Sequence, residues 1–144
     1  MPKVTYTESE GLYQSAGTGV QFETTPFSPV QTITTTPSTV DAPGVYLLSK
    51  ADGDITVVMP TAASVPGGVF VFRQADAGPR RHQLTGSAEV GGKKVFCGQV
   101  GATPDASGSR LRLEALQNGS VTLISDGFNF CLAAASGSIA IDQA

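Results

Sequence analysis

Glycine and proline interrupt this chain so often that they exclude a fold built on long helices. The 144 residues include 17 glycines and nine prolines, and helix interiors tolerate neither residue well. Hydrophobic residues make up 40% of the chain and charged residues only 15%, which favours one modest core over disorder. The length fits a single domain with an appended segment. We therefore expect an all-β fold.

Short apolar runs separated by turn residues follow residue 40. They predict strands at residues 44–48, 55–59, 69–73, 81–85, 94–97, 110–113, 121–124, 128–132 and 138–141. Asn118-Gly119 predicts a type I′ turn that joins two of these strands in a hairpin, and Asp126-Gly127 predicts a second turn of that type. Residues 111–117 also have good helix propensity, but seven residues without caps are marginal as a helix, so a strand is favoured. We expect residues 41–144 to form an antiparallel β-sandwich or jelly-roll-like body.

Residues 1–40 differ in composition from the rest of the chain. They contain ten of the 15 threonines and four of the nine prolines, and their large apolar residues are spaced apart. Threonine favours extended backbone, whereas Pro26, Pro29 and Pro37 exclude a long central strand. Burial of a few spaced side chains returns less free energy than the ordering of 40 residues costs. We therefore predict an extended N-terminal arm that a second molecule must complete.

The charges are unevenly distributed along the sequence. The net charge is −3, but residues 73–112 carry +4 and the remaining residues carry −7. A basic segment can indicate nucleic-acid binding, but the isoelectric point is near 4.9, and such surfaces usually have a high one and interleaved aromatic residues. We expect no nucleic-acid partner. The basic segment is interpreted as a surface that meets an acidic surface of another copy or of a partner.

Residues that could catalyse a reaction are few and scattered. His82, the single histidine, follows two arginines, and no nucleophile is placed beside it by the sequence, so we interpret it as a surface or interface histidine. Cys97 and Cys131 lie 34 residues apart without zinc-ligand spacing. They are expected to be small buried residues, or to form a disulfide if two strands bring them together. We expect no enzymatic activity.

Metal, cofactor and membrane binding are likewise not expected. Asp52 and Asp54 could bind Ca²⁺ through their carboxylates, but a hairpin turn already accounts for the DGD sequence. No apolar run approaches the ~18 residues of a membrane-spanning helix. The first ten residues lack the apolar core of a signal peptide, and the initiator methionine argues against a signal that has been removed.

The C-terminal part of the chain carries a recognisable motif. Residues 116–130 read LQNGSVTLISDGFNF, and the upstream residues 55–60 and 66–73 read ITVVMP and PGGVFVFR. Over roughly residues 44–132 this pattern resembles a β-domain common in bacteriophage virion proteins, whose closing segment has the form aGgsVtLiSDGtnW. The chain departs from that pattern at Phe130, where tryptophan is usual, and in its long polar arm.

The resemblance implies a head decoration (cement) protein, which is a non-enzymatic structural protein. Such proteins combine a compact β-domain with an extended arm and commonly form homotrimers where capsid subunits meet. The implied partner is the major capsid protein, and the implied location is the capsid exterior of a virion assembled in the host cytoplasm. Aromatic residues dominate interface energetics, so we expect the arm to supply most of the contact. The predicted capsid or intersubunit contact residues are Tyr6, Leu12, Tyr13, Phe22, Phe27, Ile33, Arg80 and Arg81.

Other interpretations remain open at this point. The aromatic residues of the arm could instead fold over the core of their own body. A receptor-binding fibre or spike tip that recognises a host surface glycan is a second interpretation of the virion motif. A small hydrolase or a lectin-like module outside the phage world is the third.

Overall fold

The computed structural model describes residues 4–7, 11–14, 30–75, 80–86, 95–100, 103–114 and 119–142. Within these ranges the chain is all-β, and its only helical element is a single 3₁₀ turn at Ala62–Ser64. The strands are β1 Val4–Thr7, β2 Gly11–Gln14, β3 Val30–Ile33, β4 Ser38–Thr39, β5 Gly44–Leu48, β6 Thr56–Val58, β7 Val69–Gln74, β8 His82–Thr85, β9 Phe96–Val100, β10 Thr103–Gly108, β11 Arg110–Leu113, β12 Ser120–Ser125, β13 Phe130–Ser136 and β14 Ile139–Asp142.

Most of the strands belong to two mixed sheets. A seven-stranded sheet has the order β10-β9-β13-β12-β7-β5-β3, and a five-stranded sheet has the order β14-β11-β8-β6-β4. Strands β1 and β2 form a separate antiparallel pair. No helix in the described part of the chain is long and apolar enough to cross a membrane.

The first half of the body winds between the two sheets. Successive strands from β3 to β8 alternate between the seven-stranded and the five-stranded sheet. Neighbours within one sheet, such as β5 and β7 or β6 and β8, are therefore parallel. The prediction of a purely antiparallel body is wrong here, because the chain crosses to the opposite sheet instead of turning back beside itself. The later strands β11, β12 and β14 do pair antiparallel with their neighbours.

The hairpin predicted around Asn118-Gly119 is also absent. Strand β11 pairs with β8 and β14 in the five-stranded sheet, whereas β12 pairs with β7 and β13 in the seven-stranded sheet. The connection between β11 and β12 is thus a crossover between sheets. Asn118 itself lies outside the described residues.

One core cluster joins the buried faces of the two sheets. Inward positions alternate with outward ones. In β5, for example, Gly44, Tyr46 and Leu48 are buried, whereas Val45 and Leu47 are half-buried. Aromatic rings make up much of the core on the seven-stranded side, with centroid separations of 5.2 Å for Tyr46–Phe72 and 5.5 Å for Phe70–Phe130. The five-stranded sheet and its flanking residues contribute aliphatic side chains, which are Ile55, Val57, Met59, Leu84, Leu111 and Leu113.

Part of the predicted arm is integrated into this body. Strand β3 pairs in parallel with β5, and β4 pairs in parallel with β6. Ile33 and Val40 belong to the core cluster. Residues 30–40 therefore pack as edge strands of the two sheets, consistent with the exclusion of proline-flanked segments from sheet centres.

Candidate functional site

Part of the outer face of the seven-stranded sheet is lined mainly by apolar side chains. Because directly paired residues share one face of a sheet, the strand register defines two adjacent rows across it. The first row is Val30, Val45, Val71, Thr122 and Ala134, and the second is Val69, Ile124, Cys131 and Cys97. We call these nine residues the apolar face.

Several residues of the apolar face are well exposed. Val30 is 62% exposed, and the register partners Val69 and Ile124 are 45% and 40% exposed. The next row across the same strands is mostly polar and consists of Thr32, Leu47, Arg73, Ser120 and Ser136. An apolar centre beside a polar margin is the usual composition of a protein–protein interface.

A short loop at one end of the apolar face presents an aromatic side chain. Residues 126–129 connect the paired residues Ser125 and Phe130, so the loop has four residues rather than the predicted two. The Asp126 carboxylate accepts hydrogen bonds from the backbone N–H groups of Phe128 at 2.7 Å and Asn129 at 2.6 Å. These bonds lower the pKa of Asp126. The Phe128 side chain is 87% exposed, so a fixed loop holds a large apolar side chain in solvent.

The two cysteines meet within the apolar face. Cys97 and Cys131 are register partners in the parallel pair β9–β13, and their Sγ atoms are 3.2 Å apart with both thiols free. The Cys131 thiol also donates to Asp126 Oδ2 at 3.5 Å. The hydrogen bond with Cys97, followed by desolvation and by Asp126, raises the pKa of Cys131 to about 12.

The outer face of the five-stranded sheet is charged, and its charges are paired. Arg110 Nε and Arg112 Nη2 contact the Asp142 carboxylate at 2.8 and 2.6 Å. Glu114 lies 3.4 Å from Arg81 Nε and 3.6 Å from Arg112 Nε. Arg81, Arg110 and Arg112, three of the seven basic residues of segment 73–112, are thus paired with acidic residues of the same chain. The sequence interpretation assigned that pairing to another copy or a partner.

The predicted contact residues Arg80 and Arg81 differ in their surroundings. The Arg80 guanidinium donates to the backbone carbonyl of Ala51 and is only half-exposed. Arg81 keeps 65% of its side chain exposed, while its backbone N–H donates to Asp54 Oδ1 at 2.8 Å. Arg81 is therefore the more accessible of the two to a partner.

His82 is a structural residue of the core. It is completely buried, and its Nδ1 accepts a hydrogen bond from the Ile55 N–H at 2.9 Å. The interpretation as a surface or interface histidine is wrong, because β8 turns this position inward. A backbone N–H can only donate, so the ring proton resides on Nε2.

The predicted contact residues of the arm are described only in part. Tyr6 and Leu12 are register partners in the β1–β2 pair, and Tyr13 is opposite Thr5. Phe22 and Phe27 lie outside the described residues. Ile33 is 9% exposed and belongs to the core, so it offers little surface to a partner.

The turn that was considered for Ca²⁺ is held together by other interactions. Lys50 Nζ contacts Asp52 Oδ1 at 2.6 Å and lowers the pKa of that carboxyl group. Asp54 accepts the hydrogen bond from the Arg81 backbone. Among the described residues, no group of three or more metal-binding side chains forms.

Sequence reasoning missed the residues that stand out most in the structure, namely Val69, Ile124 and Phe128. The run VFVF at residues 69–72 is apolar on both faces of its strand. A strand of this kind indicates that its outer face is covered by another element or contacts a partner, so the outward valines could have been recognised from the sequence. Phe128 was assigned to a strand, although Asp126 folds it into a loop.

Neither known protein-family models nor curated proteins provide a match to this chain. The arrangement itself offers a broad apolar surface with an aromatic side chain at its end. Such a surface is suited to binding another macromolecule.

Proposed function

We propose that this chain is a non-enzymatic structural protein of a bacteriophage virion that binds the outer surface of the capsid. Its partner is the major capsid protein, and it acts as a homotrimer that stabilises the lattice at subunit junctions. The observation that carries this proposal is the apolar face together with Phe128. A protein that binds only the assembled lattice stabilises it by mass action.

The energetics of the apolar face suit this role. Burial of an exposed Val, Ile or Phe side chain yields about 1.5–3 kcal/mol. Among the described residues, four such side chains are exposed on each subunit, namely those of Val30, Val69, Ile124 and Phe128. A trimer presents this face three times, so modest contacts add through effective concentration.

The choice of a capsid as partner rests on the phage-like motif. Its segments 66–73 and 116–130 contain all of β7 except Gln74, and all of β12, and these two strands are adjacent in the seven-stranded sheet. The segments also contain the loop that carries Phe128. The motif residues therefore contribute Val69 and Ile124 of the apolar face, and Phe128 beside it.

The finer features of the expected architecture belong to this proposal as well. We infer that the two sheets pack as a jelly-roll-like sandwich and that the N-terminal residues reach a neighbouring subunit as an arm. Tyr6, Leu12 and Tyr13 in the β1–β2 pair, with Phe22 and Phe27, are the arm contacts of this proposal, and Arg81 contributes a polar contact. Strand addition at a sheet edge is a known mode of such association.

Co-sedimentation with purified capsids of the encoding phage tests the proposal. The wild-type protein should sediment with capsids, and Phe128→Asp should weaken binding at least about tenfold, because it places a charge in an apolar contact. Ala63→Asp is the matched control, since it adds the same charge at an exposed position of the 3₁₀ turn. It should bind like the wild type.

Two outcomes would contradict the proposal. Wild-type protein that stays in the supernatant would exclude capsid binding. Equal binding by Phe128→Asp and Ala63→Asp would show that the apolar face is not the contact surface.

A further inference from the structure

The shortest strand pairing of the seven-stranded sheet, among the described residues, is between β9 and β13. Only two register pairs, Phe96↔Phe130 and Cys97↔Cys131, connect these strands. The β9–β10 pair is attached to the rest of the sheet through this junction. A covalent link placed here would secure two strands at once.

The geometry points to Cys97 and Cys131 as a disulfide-forming pair that covalently links β9 to β13. Their Sγ atoms lie 3.2 Å apart, and a disulfide requires roughly 2.05 Å. Neighbouring strands are about 4.8 Å apart, which falls within the Cα separations that disulfides span. Both thiols lie on the outer face and are half-exposed, so an oxidant can reach them.

Two features of the surrounding structure hold the thiols together. Directly before them in the register, Phe96 and Phe130 are fully buried with ring centroids 6.1 Å apart, which fixes the alignment of the strands. Directly after them, Gly98 has a φ of +145°, and a Cβ at this position would lie 2.6 Å from Leu132 Cβ. The absence of a side chain at Gly98 therefore permits the close approach of β9 to β13.

A small-molecule disulfide, such as oxidised glutathione, can oxidise the two thiols to the protein disulfide. One of the two protein thiols loses its proton to water, and its thiolate attacks one glutathione sulfur, so that one glutathione leaves as a thiolate. The other protein thiol then loses its proton and attacks the Sγ atom of the first, which releases the second glutathione as a thiolate. Each glutathione thiolate takes up one of these protons. Two protein thiols and one oxidised glutathione thus yield one protein disulfide and two reduced glutathione molecules.

The test compares the full-length chain in reduced and oxidised glutathione buffers. We expect a thiol assay to find no free cysteine in the oxidised protein, and mass spectrometry to find a loss of two hydrogens. The oxidised protein should also return to its native oligomeric state when it is unfolded and then refolded. Its melting temperature should rise by roughly 5–15 °C over that of the reduced protein, because the bond closes a long loop. The Cys97→Ser/Cys131→Ser double variant should melt at the same temperature in both buffers.

Other results would overturn the inference. Persistent free thiols, stable glutathione adducts on both cysteines, or a disulfide between two chains on a non-reducing gel would each exclude the intramolecular bond. Gly98→Ala provides a second test, since it separates the strands. It should lower the equilibrium constant for disulfide formation about tenfold, and an unchanged constant would contradict the role assigned to the close approach.

Discussion

At the scale of single residues, local contacts decide what a side chain can do. Cys131 illustrates this, because a half-exposed thiol would ordinarily ionise near pH 8.5. Here its neighbours Cys97 and Asp126 stabilise the protonated form. His82 gives a second case, since its burial against the Ile55 N–H makes it a structural residue. Neither environment follows from the flanking sequence.

Alkylation of Cys131 by iodoacetamide in the reduced protein should reveal this raised pKa. The reagent attacks the thiolate, so the labelling rate should keep rising with pH and level off only at about pH 12. Cys97→Ala removes the largest cause of the shift and should move this plateau to lower pH. Site-resolved mass spectrometry measures both profiles, and identical profiles for the two proteins would contradict the assignment.

The same shift affects stability with a defined sign. A group whose pKa is higher in the folded than in the unfolded state stabilises the fold. This stabilisation is fully present at pH values below the unfolded-state pKa. That contribution is lost as the pH rises toward about 12. The stabilisation that Cys131 contributes should therefore decrease only in the alkaline range, above about pH 8.5.

At the scale of the elements, strands β7 and β12 organise the molecule. Their inward side chains, including Phe70, Phe72 and Leu123, are completely buried. Their outward side chains, including Val69 and Ile124, are exposed. One strand pair therefore serves the core on one side and the proposed contact surface on the other.

A comparison of two phenylalanines tests this division. Phe70→Ala should lower the free energy of unfolding by about 3–5 kcal/mol, because it removes a buried ring that contacts Phe72 and Phe130. Phe128→Ala, the matched control on an exposed loop, should change it by less than about 0.5 kcal/mol. Urea denaturation measures both, and equal losses would show that the loop is part of the core.

Much of the strand content was predictable from sequence, but the pairing of strands was not. Runs such as residues 44–48 and 69–73 alternate or are uniformly apolar, and both coincide with strands. The period of two is the same in parallel and antiparallel strands, so the winding between the sheets left no local signal. Strand β10 was missed because Pro104, Gly108 and its polar residues disfavour strands, and its pairing with β9 is what defines it.

The candidate site was predictable to a smaller extent. The composition of residues 1–40 predicts the arm as the main contact surface. Among the residues whose exposure the structure describes, three of the four exposed large apolar residues, Val69, Ile124 and Phe128, lie outside the arm. Which side of a VFVF strand faces the core depends on neighbours distant in sequence. The proximity of Cys97 and Cys131 depends on the β9–β13 pairing in the same way.

At the scale of the whole molecule, the two sheets present surfaces of different character. The five-stranded sheet carries arginines paired with Glu114 and Asp142 of the same chain. The seven-stranded sheet carries the apolar face. Desolvation of ion pairs costs free energy, whereas burial of apolar side chains releases it. The apolar face is therefore the surface expected to face a partner.

A cryo-electron microscopy reconstruction of capsids saturated with this protein tests that claim most directly. The account predicts three copies around each binding position, with Val69, Ile124 and Phe128 buried against the major capsid protein and the charged sheet turned toward solvent. A reconstruction in which the apolar face points to solvent while Arg110 and Arg112 contact the capsid would contradict it.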